Sequence, residues 1–369
     1  MLYPAEPPHS PLSKSASPDQ RLLFHRRVVL LTDGFSNPFL AKTAINLLRY
    51  RPQDIAAVLD RELSGKTSQD VFQVGGSIPI IGDLSTAGEF DSIYIGIAPP
   101  GGKLPAQWRS VIVTALQNGL DVVSGLHDFL GLDEEFSQLA LTHNAQIIDV
   151  RRNAFRETAT ATPFATDCLR ILTVGHDCSV GKMVVTLELE QALQNAGHDA
   201  KFLATGQTGI MIAGAGIPID CVVSDFVNGA AESLVRQHES HSIVLVEGQG
   251  SISHPAFSAV TLGLLHGSAP DGLIFCYEAG RQNVKGIDHM PIPDLKRQME
   301  ALRQLANLRH PCRFIGIGVN TRNLTASAAA EEIERAQQTF GLPACDVYRD
   351  GAEKLVTAVV QIKQELAQS

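Results

Sequence analysis

Short apolar runs alternate with longer amphipathic stretches along most of this chain of 369 residues. The runs have the length of buried parallel strands, and the stretches between them repeat apolar residues with the helical period. In the first half of the chain, the pattern predicts strands at 27–31, 55–59, 78–81, 92–97, 121–123 and 147–150, with helices at 39–50 and 105–118. Alternating strands and helices joined by short glycine-bearing loops indicate a parallel sheet with right-handed crossovers.

A second series with the same alternation begins at Cys168. Its predicted strands are 168–174, 200–204, 243–246, 272–276, 313–319 and 344–347, and its predicted helices are 182–195, 230–239, 293–308, 326–339 and 351–367. Between the two series, residues 151–166 are polar and rich in threonine, as is typical of a linker. Residues 1–20 are rich in proline and serine and lack apolar periodicity, as expected of a mobile tail.

The fold class that this organisation predicts is α/β, with two doubly wound domains. We predict a disordered tail at 1–20, a Rossmann-like N-terminal domain at 21–155, and a P-loop NTPase-like C-terminal domain with a mainly parallel sheet at 165–369. Ligands of such sheets bind beyond the carboxyl ends of the strands. Candidate functional residues are therefore expected in the loops that follow the predicted strands.

The segment between the strand at 168–174 and the helix at 182–195 has the layout of a phosphate-binding loop. In such loops, backbone N–H groups and the positive end of the helix hold phosphate oxygens, and a lysine adds a charge. Five residues rather than the usual four separate Gly175 from Gly181, and Met183 stands where serine or threonine normally ligates magnesium. The predicted phosphate-binding residues are Gly175, His176, Asp177, Cys178, Ser179, Val180, Gly181, Lys182 and Met183. The alternative is a glycine-rich turn whose lysine is merely solvated.

Five motifs carry a resemblance to a known family. They are Ser-Gly-Leu-His-Asp at 124–128, Gly-His-Asp-Cys-Ser-Val-Gly-Lys-Met at 175–183, Ala-Thr-Gly-Gln-Thr-Gly at 204–209, Ile-Asp through Asn-Gly-Ala at 219–230, and Glu-Gly-Gln-Gly-Ser at 247–251. Together they resemble the D-glutamate N-acetyltransferase family, long catalogued as a domain of unknown function. The resemblance implies a Rossmann-like domain, a P-loop domain, and transfer of acetyl from acetyl-CoA to the amine of D-glutamate or a related D-amino acid.

The phosphate loop, the Glu-Gly turn at 247–248 and the segment 317–320 also resemble the dethiobiotin-synthetase branch of P-loop proteins. In that branch an asparagine after a late strand reads adenine, which implies this role for Asn320. An ATP-hydrolysing loop supplies a magnesium-binding hydroxyl directly after its lysine, which Met183 cannot do. Coenzyme A carries phosphates that need donors but no hydrolysis. Acetyl-CoA is therefore the expected cosubstrate, and ATP with magnesium is the less favoured ligand.

Acetyl transfer to an amine needs a neutral amine, donors for the thioester oxyanion, and close approach of the reactants. A base could come from His254, Glu247 or Asp225, each of which is next to a predicted strand end. The alternative for His254 is a satisfied loop residue, and the alternative for Glu247 is a capping role. Oxyanion donors could come from the backbone at 206–209 or at 248–250, and the sequence does not choose between them.

Two carboxylates distinguish D-glutamate as a substrate, and arginine reads carboxylates in bidentate fashion. Arg281 and Lys285 follow the predicted strand at 272–276 and are candidate substrate-binding residues. The alternative is that both are solvated loop charges. Gln207 and Thr208, in the second glycine-bearing loop, are the other candidate substrate contacts.

A net charge of −9 argues against general nucleic-acid binding, which usually needs a basic face. No apolar run reaches the roughly 18 residues of a membrane span, and the N-terminus has no signal-peptide core, so we expect a cytoplasmic protein without membrane contact. The six cysteines are widely spaced, which favours reduced thiols, and no spacing indicates a metal site. The expected partners are a small-molecule substrate and identical copies in a homo-oligomer.

Three classes of function therefore stay open at this stage. The leading reading is an acyltransferase that uses acetyl-CoA and holds the coenzyme phosphates in the loop. The second is an ATP-dependent ligase or kinase of the dethiobiotin-synthetase type, which the methionine after the loop lysine disfavours. The third is a non-catalytic nucleotide or coenzyme A sensor.

Overall fold

Two six-stranded parallel sheets, one after the other along the chain, form the framework of the computed structural model, which describes residues 20–86 and 89–368. The first domain has strands β1 (Val28–Leu31), β2 (Ile55–Leu59), β3 (Ile80–Ile81), β4 (Ser92–Ile95), β5 (Asp121–Ser124) and β6 (Ile147–Asp149), and helices α1 (Lys42–Tyr50), α2 (Ser68–Phe72), α3 (Arg109–Gln117) and α4 (Glu134–Thr142). Its strand order is β3-β2-β1-β4-β5-β6. This is the doubly wound Rossmann order, whose direction reverses between β1 and β4.

The second domain contains the phosphate loop after its central strand. Its strands are β7 (Leu169–Gly175), β8 (Ala200–Leu203), β9 (Ile243–Val246), β10 (Gly272–Glu278), β11 (Asn283–Val284), β12 (Ile287–Pro291), β13 (Arg313–Asn320) and β14 (Ala344–Cys345). Its helices are α5 (Lys182–Asn195), α6 (Gln207–Ala213), α7 (Val227–Arg236), α8 (Ser258–Ser268), α9 (Leu295–Asn307), α10 (Ala326–Phe340) and α11 (Glu353–Leu366). The parallel sheet has the order β14-β13-β10-β7-β9-β8, and β11 and β12 form a separate antiparallel hairpin.

The predicted α/β class with two doubly wound domains is confirmed. The bounds of β2, β9 and α5 are those predicted, and the other predicted strands differ by a few residues at their ends. The pattern did not predict α2, α4, α6, α8 or the β11–β12 hairpin. Helix α6 is only 7 residues long, and α8 is apolar on several sides, so neither shows a clear helical period.

The domain limits 21–155 and 165–369 remain predictions. Most of the predicted tail lies outside the described residues. Within the described part of the chain, no helix is both long and apolar enough to span a membrane. All six cysteines are unpaired.

The two domains share one apolar core. Leu47 of α1 belongs to the same buried cluster as Leu187 of α5 and Met211 of α6. Polar contacts surround this cluster: the Tyr50 hydroxyl donates to Glu188 at 2.8 Å, and Arg51 Nη1 donates to the carbonyl of Met211 at 2.9 Å. The contact places the N-terminus of α1 beside the phosphate loop of the other domain.

The shared core predicts a large effect of Leu187→Ala on stability. Leu187 is 6% exposed, so removing its side chain leaves a cavity in the core and should lower the free energy of unfolding by about 2–5 kcal/mol. Leu141→Ala, on the 79% exposed side chain of α4, is the matched control and should change it by about 0.5 kcal/mol or less. Urea unfolding of both variants measures the difference. Equal losses would contradict a core that spans both domains.

Candidate functional site

The loop between β7 and α5 makes two turns with left-handed backbone. Ser179 has φ of 56° and Gly181 has φ of 105°, and α5 begins at the next residue, Lys182. A φ of this size at Gly181 strongly favours glycine. The turns lead directly into the start of α5. The first N–H groups of a helix have no helical partner. This is the backbone arrangement of an anion-binding site.

Lys182 connects the loop to the segment that follows β9. Its ammonium group donates to the carbonyl of Asp177 at 2.8 Å and to the carbonyl of Gly250, after β9, at 2.7 Å. The side chain is buried, and this burial lowers the pKa of the lysine from its ordinary value. A buried ammonium group that bonds only to backbone carbonyls gains a stronger partner when a phosphate oxygen arrives.

The position after the loop lysine is used for packing rather than for metal binding. Met183 packs against the apolar core that the two domains share. Thr186, one turn further along α5, is also unsuited to magnesium, because its hydroxyl donates to the carbonyl of Lys182 at 2.7 Å and lies 3.0 Å from the hydroxyl of Thr173. Neither residue therefore presents a free hydroxyl to a metal ion in the loop.

Asp177 is a fully buried carboxylate that fixes the shape of the loop. Burial alone would raise its pKa, but the N–H groups of Lys285 and Cys178 and the guanidinium of Arg281 outweigh burial and hold the pKa below its ordinary value. Arg281 Nη1 lies 2.9 Å from Asp177, and Nη2 lies 2.6 Å from Glu278. Arg281 also donates to the carbonyl of Cys178 at 2.7 Å.

The contacts of Arg281 thus differ from the expected substrate role. Its guanidinium is held between two carboxylates and the loop backbone, and its side chain is only 12% exposed. A guanidinium whose donors are already bonded to protein groups is a poor reader of a substrate carboxylate. The sequence could not reveal this, because Asp177 and Arg281 are 104 residues apart in the chain.

His176 and His254 are both buried at the loop. Burial, together with the charges of Arg281 and Lys182, lowers the pKa of His176 to about 3, and its Nε2 accepts from the N–H of Glu278 at 3.3 Å. The ring of His176 is therefore buried against the end of β10, which differs from the expected phosphate contact. His254 Nδ1 accepts from the N–H of Ala256 at 3.1 Å.

The other ring nitrogen of His254, Nε2, lies 3.4 Å from the carbonyl of Lys285. Ligand-type atoms of Asp177, Cys178 and His254 lie within 4.8 Å of one another. The oxygens of Asp177 already accept from Arg281 and from two backbone N–H groups. The prediction of no metal site stays a prediction.

The outer rim of the loop is strongly cationic. The ammonium group of Lys285 donates to the hydroxyl of Ser179 at 2.9 Å, and Lys42, from the first domain, donates to the same hydroxyl at 3.1 Å. Asn320, at the end of β13, also lies at this rim, since its Nδ2 is 4.0 Å from where a Cβ on Gly181 would be. Lys42 could not be predicted from the sequence, because it reaches the loop only through the contact between the domains.

Glu247 is a buried carboxylate at the end of β9, beside the phosphate loop. Its Oε2 accepts from the N–H groups of Thr205 and Gly206 at 2.9 and 3.0 Å, and its Oε1 accepts from Gln249 at 3.0 Å. Burial raises the pKa of Glu247 to about 7, against the opposing effect of the two N–H groups. Both protonation states are therefore populated near neutral pH, as a proton-transfer group requires.

Gln207 begins α6 and faces the first domain. Its Oε1 is buried and is the one buried side-chain polar atom without a hydrogen-bond partner within the described residues. Gly125, after β5, leaves the space that this amide occupies, because a Cβ there would collide with Oε1. Thr208 Oγ1 lies 3.0 Å from the hydroxyl of Thr43 on α1. Both predicted substrate contacts therefore lie at the boundary between the domains.

More polar groups from both domains surround this boundary. Arg151 forms an ion pair with Asp220 and donates from Nε to the carbonyl of Gly125 at 2.7 Å. His127 Nδ1 lies 3.8 Å from Cys221 Sγ. The charge of Asp220 contributes to the raised pKa of Glu247, so this group and the end of β9 are electrostatically linked.

Asp225 is the predicted site residue that the structure separates from the others. It is exposed on the short turn Ser224–Phe226 that precedes α7. Across residues 20–86 and 89–368, no hydrogen bond or ion pair joins it to the phosphate loop or to Glu247. The expectation that it lies beside a strand end is wrong, because residues 219–221 and 224–226 form short 3₁₀ turns between α6 and α7.

A Rossmann-like domain docked on a P-loop domain is the class of protein that this fold and site define. A family model described as the P-loop domain of a domain of unknown function, DUF1611, matches residues 157–356, and its Rossmann-like companion matches residues 61–153. The chain belongs to the DUF1611 family.

Two relatives and one solved structure illustrate the family. A Pseudoalteromonas protein named D-glutamate N-acetyltransferase is 43% identical over 268 residues, which cover 72% of this chain and 80% of the relative. A Tritonibacter scottomollicae protein of the same name is 34% identical over 323 residues, covering 87% of this chain and 95% of the relative. The crystal structure of a DUF1611 family protein from Anabaena variabilis has a TM-score of 0.85 and 36% identity, covering 91% of this chain and 99% of that one. The predicted family is confirmed.

The structural role of Arg281 predicts that Arg281→Gln destabilises the protein. The change leaves the buried Asp177 without its cation, and we expect a loss of about 3 kcal/mol, the low end for a broken buried pair, because Asp177 keeps its backbone donors. Arg303→Gln removes another arginine that pairs with a glutamate three residues earlier, but on an exposed helix face, and should cause no measurable loss. Chemical denaturation compares the two variants. Similar stability of both would contradict the structural role.

Proposed function

We propose that this protein transfers the acetyl group of acetyl-CoA to the amino group of D-glutamate or a related D-amino acid. The observation that carries the proposal is that two relatives with this name align with 72% and 87% of the chain. Alignments of this length include residues of both domains and the phosphate loop. The site is consistent with each part of this chemistry.

The phosphate loop suits a ligand whose phosphates are held and not cleaved. Lys182 and the start of α5 provide a charge and N–H donors, whereas Met183 and Thr186 provide no free hydroxyl for magnesium. Hydrolysis of ATP in such loops depends on magnesium held by that hydroxyl. The pyrophosphate of coenzyme A needs the donors alone, which favours coenzyme A as the ligand.

The proposed reaction forms one bond and breaks one. The amine nitrogen attacks the thioester carbonyl, the amide C–N bond forms, the C–S bond breaks, and coenzyme A leaves as a thiolate. The amine gives up one proton to a base, and the base can pass this proton on to the thiolate. The base must have a pKa near the working pH to accept and return this proton.

Glu247 is the base that the geometry favours. Its pKa is raised to about 7, and it follows the strand next to β7, so it lies at the same sheet edge as the phosphate loop. His254 is less suitable, because both its nitrogens are engaged with backbone groups. Asp225 is exposed on a surface turn, away from the loop contacts.

Gln207 is the proposed contact for the substrate amine. Its buried Oε1 lacks a donor, and a buried unsatisfied acceptor is costly unless a ligand pairs with it. An amine supplies the missing N–H. Gln207 follows Gly206, whose N–H donates to Glu247, so the amine contact and the base are connected through one turn of the backbone.

The role of Glu247 predicts a pH profile. Because the base acts when it is ionised, kcat/KM should fall as the pH drops through about 7. Glu247→Gln keeps the size of the side chain, removes this inflection and should lower kcat by roughly 10²–10⁴. Steady-state rates between pH 5.5 and 9 measure both effects. An inflection near 7 that persists in Glu247→Gln would show that another group is the base.

Product analysis tests the proposed reaction as a whole. We expect mass spectrometry to detect an N-acetylated product after incubation with acetyl-CoA and D-glutamate, without ATP, in a panel of D- and L-amino acids. ADP release without acetylation would favour the ligase or kinase reading. Coenzyme A binding without acylation of any amino acid would favour the sensor reading.

A further inference from the structure

Two lysines from different domains meet at one hydroxyl on the rim of the phosphate loop. Lys42 is the first residue of α1, and Lys285 lies between β11 and β12. Their ammonium groups donate to Ser179 Oγ at 3.1 and 2.9 Å. Both also lie close to the ring of Phe39, at 4.8 and 4.6 Å from its centroid.

This arrangement concentrates positive charge. Because both ammonium nitrogens are within 3.1 Å of one oxygen, they are at most about 6 Å apart and repel each other. Within the described residues, neither lysine forms an ion pair with a carboxylate. Two carboxylates beside the loop, those of Asp177 and Glu278, are already paired with Arg281.

Burial and the neighbouring charges disfavour the charged form of Lys42. Burial, and then the neighbouring charge of Lys285, lowers the pKa of Lys42 to about 7. Arg322 and Arg281 act in the same direction. Arg322 shares Glu278 with Arg281, so that carboxylate does not compensate the lysines. An anion between the two ammonium groups would relieve the repulsion.

We propose that Lys42 and Lys285 bind the 3′-phosphate of coenzyme A and that Phe39 stacks on its adenine. The inference rests on the proposed function, since it assigns one end of the same cosubstrate. A phosphate carries the negative charge that would balance two adjacent ammonium groups. Coenzyme A has such a phosphate on the ribose beside the adenine. Lys182 and the loop backbone then hold the pyrophosphate.

Phe39 supports the assignment to the nucleotide end. Phe39 is 55% exposed, so part of its ring is open to a base. Aromatic rings exposed beside cationic groups form stacking platforms for bases. The carboxylates of D-glutamate could also pair with ammonium groups, but a dicarboxylate has no base to cover the ring.

The assignment gives the Rossmann-like domain a role in the site. Phe39 and Lys42 belong to the first domain, and Lys182, Ser179 and Lys285 belong to the second. The coenzyme would therefore contact both domains at once. Neither domain alone would form the complete site.

Calorimetry with full-length protein tests the assignment, with coenzyme A and 3′-dephospho-coenzyme A as the two ligands. Wild-type protein should bind coenzyme A more tightly than the dephospho form. Lys42→Gln and Lys285→Gln should each weaken coenzyme A binding roughly 10- to 100-fold, the fold-change of a charged hydrogen bond, and should abolish the preference. Lys66→Gln, at an exposed lysine of the first domain, is the control and should behave as wild type. Phe39→Ala should weaken binding of both ligands.

Thermal unfolding of the unliganded variants separates ligand binding from a structural role. If Lys42 is held for an anion, Lys42→Gln should melt at the same temperature as wild type or higher, because a repulsive contact is removed. A lower melting temperature with unchanged coenzyme A affinity would mean that Lys42 is a structural tie between the domains, and would overturn the proposal.

Two further outcomes would overturn it. Lysine variants that keep the preference for coenzyme A over its dephospho form would show that the 3′-phosphate binds elsewhere. Variants that raise the KM for D-glutamate at unchanged coenzyme A affinity would assign the lysines to the substrate carboxylates. Wild-type protein that binds neither coenzyme A form would instead refute the proposed function, and this inference with it.

Discussion

The apolar contact of α1 with α5 and α6 brings the two halves of the candidate site together. Met183 takes part in this contact from the position after the loop lysine, where a magnesium-binding hydroxyl would otherwise stand. Met183 therefore has two consequences: it packs at the contact between the domains, and it leaves the position after the loop lysine without a magnesium-binding hydroxyl. The same docking places Lys42 beside Ser179 and Thr43 beside Thr208.

Buried charges give this boundary its chemistry. Asp177 and Arg281 compensate each other, and Arg281 also bonds to the loop backbone. Glu247 has no cationic partner among the described residues, and burial keeps its pKa near neutral. The paired carboxylate is suited to structure, and the unpaired one is suited to proton transfer.

Much of the fold could be predicted from the sequence, because strand and helix periods are local properties. The apolar runs located β2 and β9, and the glycine–lysine signal located the start of α5. Helices α6 and α8 were not predicted, because their apolar residues do not follow one helical stripe. The phosphate loop was recognisable because its signal is confined to one short segment.

The partners of the site residues could not be predicted, since they depend on how distant segments meet. Lys42 and Ser179 are 137 residues apart, and Arg281 lies 104 residues from the carboxylate that occupies it. Residue type alone suggested that Arg281 reads a substrate and that His176 contacts phosphate. Their burial and hydrogen bonds show that both side chains instead support the structure of the loop.

Calorimetric titration of acetyl-CoA and of ATP–magnesium into wild-type protein and Lys182→Ala tests whether the loop holds a coenzyme. We expect acetyl-CoA to bind without magnesium and loss of the Lys182 ammonium group to weaken this binding. Binding of ATP–magnesium alone, or acetyl-CoA affinity that is unchanged in Lys182→Ala, would contradict a loop that holds the phosphates of coenzyme A.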